Sequence, residues 1–227
     1  PSGGVVTGIQ YGARRIIEKI EITVEDKKPE SYKSFSSSKL NAADREAVMN
    51  NILDACIFPM IRQRPFNKVA NPNDIPRDIF VSAYNTAPLS VNVSKVIQNN
   101  KDQFQAGLTV LSKLTDGSVY LTSQKLMEFD NATNVTIEGP HPAGNVGIQI
   151  HHIKPINPGE VIWTVNAQHV ITIGKLFQNG QYDPGCIVSI GGSGSSNPQT
   201  VRALTGSSIE SLLKNQILNG SQRIVSG

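Results

Sequence analysis

The chain has 227 residues, 38% of them hydrophobic and 17% charged, with a formal net charge of +3. That length can bury a full core in one large or two small domains, and the scattering of the basic residues argues against a nucleic-acid footprint. No apolar run reaches the ~20 residues of a membrane-spanning helix, and no signal peptide is recognisable.

The opening PSGGVVTG lacks a Met, and the chain stops at Gly227 just after an expected strand, so both ends read as boundaries within a longer protein. Residues 15–24 end in the alternation Ile20, Ile22, Val24 against Glu21 and Thr23, which predicts a half-buried strand. A polar Ser/Lys stretch over residues 27–38 follows. Asn41 is the expected N-cap of a helix to about Cys56, with Asp44 and Glu46 in its first turn and Val48, Ile52 and Ala55 on its inner stripe. The proline-laden residues 58–76 read as loop, and residues 79–83 as a short buried strand.

Phe104, Leu108, Leu111 and Leu114 recur at helical spacing and predict a helix over residues 101–114. Asp116 and Gly117 turn the chain into a strand at 119–122. Strand, helix and strand in that order make a βαβ unit, hence a parallel sheet. A further strand is expected at 134–138, and a helix over 166–177 stopped near Gly180. The grammar then changes. Strands at 186–190 and 200–204 flank a loose Gly/Ser linker, Ser207-Ser208-Ile209-Glu210 is a capping box, and 222–225 reads as another strand. This order suggests a small β-grasp-like module.

Chemistry is sparse. Cys56 and Cys186 sit in no paired motif and fit a reduced, intracellular compartment as small buried hydrophobes. The segment GPHPAGNVGIQIHHI holds three of the four histidines and reads as a rigid, irregular loop. If it is extended, His151 and His152 point to opposite faces, and no Cys, Asp or Glu follows at ligand spacing. A metal site is therefore disfavoured against histidines bonded to the loop or facing a neighbouring subunit. A hydrolase using His141, His151 and a metal is the weakest reading. No G-x-G-x-x-G follows a strand, and no G-x-S-x-G elbow is present. Gly191-Gly192-Ser193-Gly194 lacks a Walker lysine and reads as a flexible connector, Lys175 as a solvated residue, and His169, Trp163 and Phe177 as structural.

Several motifs in order carry a resemblance. RQRPFNKV from Arg62, DIFVSAYNTAPLS from Asp78, GPHPAGNVGIQIHHI from Gly139, GEVIWTVNAQHVITIGKLFQNG from Gly159 and VRALTGSSIESL from Val201 resemble the A-subunit family of bacterial sodium-translocating NADH:quinone oxidoreductases. The resemblance spans nearly the whole chain. Through kinship with the flavin subunit of complex I and the C subunit of Rnf complexes, it implies an α/β fold. Residues 1–39 would be a leading strand and linker from a preceding domain, 40–182 a Rossmann-like domain, and 183–227 the truncated start of an SLBB (β-grasp) domain. Those relatives hold FMN on a glycine-rich loop. The matching stretch DACIFPMIRQRPFNK has no glycine, and Phe58, Met60, Arg62 and Arg64 are expected to fill the phosphate cradle. Two cysteines cannot supply the relatives' four-cysteine iron–sulfur site.

The resemblance thus implies a chain without its own cofactor. It would lie peripherally at the cytoplasmic face of the inner membrane, among partner subunits that carry the flavins and iron–sulfur centres, and meet the membrane only through them. The whole complex would pass electrons from NADH to quinone and export sodium. The alternative is an FMN-binding subunit of the Rnf or complex I type. Arg62, Arg64, Pro65, Phe66 and Lys68, with His141 and Pro142, are the expected quinone or interface residues. Guanidinium groups can hydrogen-bond a quinone carbonyl while a ring stacks on its headgroup. The competing reading pairs these arginines with carboxylates on this domain or a neighbouring subunit.

Overall fold

The computed structural model describes residues 4–25 and 30–225. The first residues of the PSGG stretch and the start of the Ser/Lys stretch lie outside them. The chain forms two compact units, Pro1–Ser31 and Tyr32–Gly227.

The first unit is a two-stranded antiparallel ribbon, β1 (Gly4–Tyr11) and β2 (Ile17–Val24), with Ile9 opposite Ile20. Ile20 and Ile22 were expected to be half-buried, yet both are exposed. Alternation gave the strand correctly, but within its own unit a two-stranded ribbon has no second layer against which to bury a face.

In the second unit α1 (Ser37–Ala42) precedes α2 (Arg45–Asp54). The cap of α2 is Asp44, which accepts a hydrogen bond from the Ala47 N–H at 2.7 Å, and Asn41 lies inside α1 instead. Val48, Ile52 and Ala55 are buried as the pattern predicts. The expected loop over residues 58–76 is regular in its first part and irregular from Ala70 onward. A 3₁₀ turn at Phe58–Met60 leads into β3 (Ile61–Arg64), which hairpins to β4 (Lys68–Val69). Pro65, after a cis peptide bond, stands in the turn between them. Prolines at both ends hid a four-residue alternation in which Ile61 and Gln63 are buried and Arg62 and Arg64 half-buried.

Next come β5 (Asp78–Ser82), α3 (Val93–Gln98), α4 (Lys101–Ser112), β6 (Val119–Ser123) and β7 (Thr133–Thr136). The unit's main sheet closes with α5 (Val146–Ile153), β8 (Ile162–Asn166) and α6 (Ala167–Asn179). The sheet has six strands in the order β4-β3-β8-β5-β6-β7. Strands β8, β5, β6 and β7 are parallel, as the βαβ reading predicts, and β3 runs antiparallel to β8. Strand β8 stands where no element was expected, and α5 where an irregular loop was expected, because glycines and prolines crowd its amino-terminal side.

Alternation along the central strands sorts the two faces. Ile79 and Val81 of β5 and Trp163 and Val165 of β8 join the main core with α4 and α6, whereas Phe80 and Ile162 meet Ile150 of α5 in a smaller cluster. Helices therefore cover both faces. Gly180, at φ 68°, takes the left-handed conformation that ends α6.

Beyond α6, β9 (Gly185–Ile190) and β10 (Gln199–Leu204) form an antiparallel pair followed by α7 (Ile209–Leu213). Ser208, rather than Ser207, caps α7, accepting from the Ser211 N–H. Residues 222–225 form no strand. The expected loose linker is tied down, since the Leu218 N–H donates to the Gly194 carbonyl at 2.9 Å and Ser195 bridges to Ile217.

Helices α4 and α6 touch through glycine. A Cβ at Gly174 would lie 1.7 Å from the Gln103 carbonyl oxygen, and one at Gly107 would lie 2.1 Å from that of Val170. Neither backbone oxygen can yield without moving its helix. Gly174→Ala is expected to lower unfolding free energy by about 1–3 kcal/mol through overpacking, outweighing the ~1 kcal/mol that alanine gains in helix propensity. Urea denaturation measures this, and a stabilised variant would contradict so close a helix contact.

Candidate functional site

The order of the main sheet reverses between β8 and β5. The chain steps outward from β5 to β6 and β7, then returns by α5 to place β8 on the other flank of β5. Crevices outside the carboxyl ends of such a reversal are where α/β sheets receive ligands. A cavity of 620 Å³ opens there. Ser82 ends β5 and Asn166 ends β8 at its floor, while Arg62 and Arg64 line it from β3. The segment leading into α5 (Gly144 through Ile148) and His169 of α6 complete the wall.

Local chemistry explains each placement. Residues two apart on a strand share a face, so Arg62 and Arg64 reach the cavity together. Arg62 also donates to the Asn67 carbonyl and braces the hairpin. Burial, and then the charge of Arg62, push the Arg64 guanidinium below its usual pKa. The segment before α5 is held by Thr86, whose hydroxyl accepts from the Gly144 N–H at 3.0 Å and lies 3.1 Å from His141 Nδ1. A Cβ at Gly144 would come within 2.4 Å of the Thr86 nitrogen, so only glycine permits this approach. Burial depresses the His169 pKa, with the Met60 backbone opposing the shift, and its Nδ1 is buried without a partner.

The expected site residues divide. Arg62 and Arg64 line the cavity, whereas Pro65, Phe66 and Lys68 are exposed on the β3–β4 hairpin, Phe66 at 81%. His141 and Pro142 are exposed too, and His141 serves the loop through Thr86. Of the side chains expected to fill a phosphate cradle, Phe58 turns instead into the core, edge-on to Trp163 at 5.8 Å. Met60, Arg62 and Arg64 border space that stays open. His151 and His152 are neighbours on a helix, their rings 5.5 Å apart, rather than on opposite faces of an extended segment. Lys175 is no solvated residue but pairs with Asp183 at 2.9 Å. Cys56 is exposed and Cys186 partly so, contrary to the expected burial. The start of α5, Ser82, Asn166 and His169 went unforeseen as wall residues. The β-rich run Ile162-Trp163-Thr164-Val165 before the capping Asn166 was the available signal.

The fold and cavity define a mixed α/β protein with a parallel-rich six-stranded sheet and a ligand-type crevice at its order reversal. The family described as the NqrA second alpha/beta domain matches residues 43–182. The A subunit of the Na(+)-translocating NADH-quinone reductase from Saccharophagus degradans is 34% identical over 232 residues, covering 100% of this chain and 52% of the relative. Those of Marinomonas sp. and Vibrio alginolyticus are 35% and 34% identical, with the same coverage. The chain belongs to the NqrA family, and it spans about half the length of the curated relatives it matches. Among the described residues no helix is long and apolar enough to cross a membrane.

A strongly held titratable group lies at the other end of β5. The Asp78 side chain is fully buried, 2.8 Å from Lys154 Nζ and 2.7 Å from Arg77 Nε, and accepts from the Ser118 N–H at 3.1 Å. Arg77 also pairs with Glu160 and donates to the Lys154 and Pro155 carbonyls. Burial alone would raise the Asp78 pKa, but hydrogen bonds from Lys154, Ser118 and Arg77 outweigh it and hold the carboxyl below its ordinary range. Asp78 thus contributes stability that is fully present above its unfolded pKa of about 3.9 and lost as pH falls towards the lower folded value. Asp78→Asn is expected to cost about 2 kcal/mol at neutral pH. That gap should shrink on acidification below about pH 4, which denaturation at a series of pH values would register. A gap independent of pH would remove the charge from this account.

Proposed function

We propose that the chain is a cofactor-free part of the NqrA protein in the Na+-translocating NADH:quinone reductase, the complex that passes electrons from NADH to quinone and exports sodium. The observation that carries this reading is the match of the whole chain to NqrA relatives. On this reading residues 40–182 are a Rossmann-like domain, 183–227 belong to an SLBB-type β-grasp module, and 1–39 lead in from a preceding domain. The chain lies at the cytoplasmic face and reaches the membrane through partner subunits, which carry the flavins and iron–sulfur centres. Purified alone it neither oxidises NADH nor carries flavin, and visible flavin absorbance would overturn that.

Within the complex the β3–β4 hairpin forms a contact surface for a partner subunit or a quinone headgroup. Pro65, Phe66 and Lys68 form its outer side and Arg62 and Arg64 its base, and His141 and Pro142, on the loop before α5, are further candidates for the contact. The support is Phe66, a ring left 81% exposed on a braced hairpin. Phe66→Ala in the intact complex is expected to raise the KM for quinone about fivefold, the worth of one stacked ring, or to weaken co-purification with partner subunits. Unaltered quinone kinetics, inhibitor sensitivity and assembly would rule the hairpin out.

A further inference from the structure

The cavity at the sheet's reversal gathers positive charge that nothing in the described chain offsets. Arg62 and Arg64 line it two residues apart, no Asp or Glu does, and neither arginine forms an ion pair among the described residues. Two guanidinium groups set side by side without a carboxylate repel one another, and a bound anion would relieve both. Arg64 Nε is buried and without an acceptor, and His169 Nδ1 is buried without a hydrogen-bond partner among the described residues.

The start of α5 has the same bias by an independent route. No acidic residue lies in its first turn, and the capping Asn145 makes no side-chain bond to it. The Val146 and Gly147 N–H groups have no acceptor among the described residues. A Cβ at Gly147 would meet nothing within 4 Å, so the backbone there borders open space. Unpaired amides at a helix start favour an anion.

We propose that this cavity binds a small soluble phosphate monoester, its phosphate held between Arg62, Arg64 and the first amides of α5. A phosphate presents enough oxygens to take forked bonds from both guanidiniums and still accept from backbone amides, which a carboxylate does not. At 620 Å³ the cavity matches a small-molecule site and far exceeds a bare ion. Tyr84, Asn85, Met60 and Val93 offer a mixed polar and apolar wall for the ester's body. This goes beyond the NqrA reading above and does not depend on it, since a quinone carries no charge to relieve the arginines.

Calorimetric titration of the 227-residue chain with adenosine monophosphate and with inorganic phosphate, at constant ionic strength, tests it. Saturable binding of the nucleotide, tighter than phosphate and weakened by added salt, is expected. Arg64→Gln should weaken it about tenfold through the lost charge-assisted bonds. Gly147→Asp should abolish it while the helix folds undisturbed, because an acid in the first turn suits the helix and space is free there. Circular dichroism confirms folding of both variants. No binding of either compound at millimolar concentration, equal affinity for both, or binding that the two variants leave unchanged overturns the proposal. Vesicles of phosphatidic acid captured in place of the nucleotide, and released by the same variants, would assign the phosphate to a lipid and overturn the soluble ester.

Discussion

The meeting of α4 and α6 at Gly107 and Gly174 sets the geometry on which the second unit depends. At these glycines the two helices approach backbone to backbone, and they share one face of the sheet, over Ile79, Val81, Trp163 and Val165. That face holds most of the buried apolar surface, the dominant favourable term in folding. Helix α6 starts directly at Asn166, where β8 ends. Its packing against α4 therefore also fixes where the carboxyl end of β8, and His169 one turn inside the helix, stand at the cavity.

Strand β5 joins two ends of opposite character. At its amino end Asp78 is buried and supplied with donors from Arg77, Lys154 and Ser118, so charge there is closed upon itself. Lys154 immediately follows α5, and Glu160 lies shortly before β8, so the network fastens the crossover between them. At its carboxyl end the nearby charges are Arg62 and Arg64, with no carboxylate in the cavity wall. The strongly perturbed carboxylate is thus a structural fastening, and the incomplete electrostatics lie at the crevice. Structural ion-pair networks perturb pKa values as functional sites do, and the Asp78 network is of the former kind.

The family resemblance and the residues themselves carried different parts of the reading. Motifs from Arg62 to Leu212 identified the family, which the match over residues 43–182 supports. They did not say which members of a motif work together. Arg62-Gln63-Arg64-Pro65-Phe66-Asn67-Lys68 looks like one cluster in sequence, yet a strand followed by a turn sends the arginines to the cavity and Phe66 to solvent. Phe58 looked like filler for a phosphate cradle, and the 3₁₀ turn that begins with it puts its ring against Trp163.

Local periodicity by itself determined α2, α4, α6 and the parallel pairing of β5 with β6, because an amphipathic stripe or a short β-rich run needs no distant partner to be read. It also placed Val48, Ile52, Phe104, Leu108 and Leu111 inside. The tertiary structure alone decided that β8 returns to the far side of β5, which creates the crevice. It alone decided that the second half of Gly139 through Ile153, read throughout as a loop, forms a helix whose start borders that crevice. Strand order and helix approach arise from contacts between segments far apart in sequence, such as Asp78 beside Ile162 and Gly107 beside Val170. No local pattern encodes that separation, so the chemistry it assembles becomes visible only when the chain is folded.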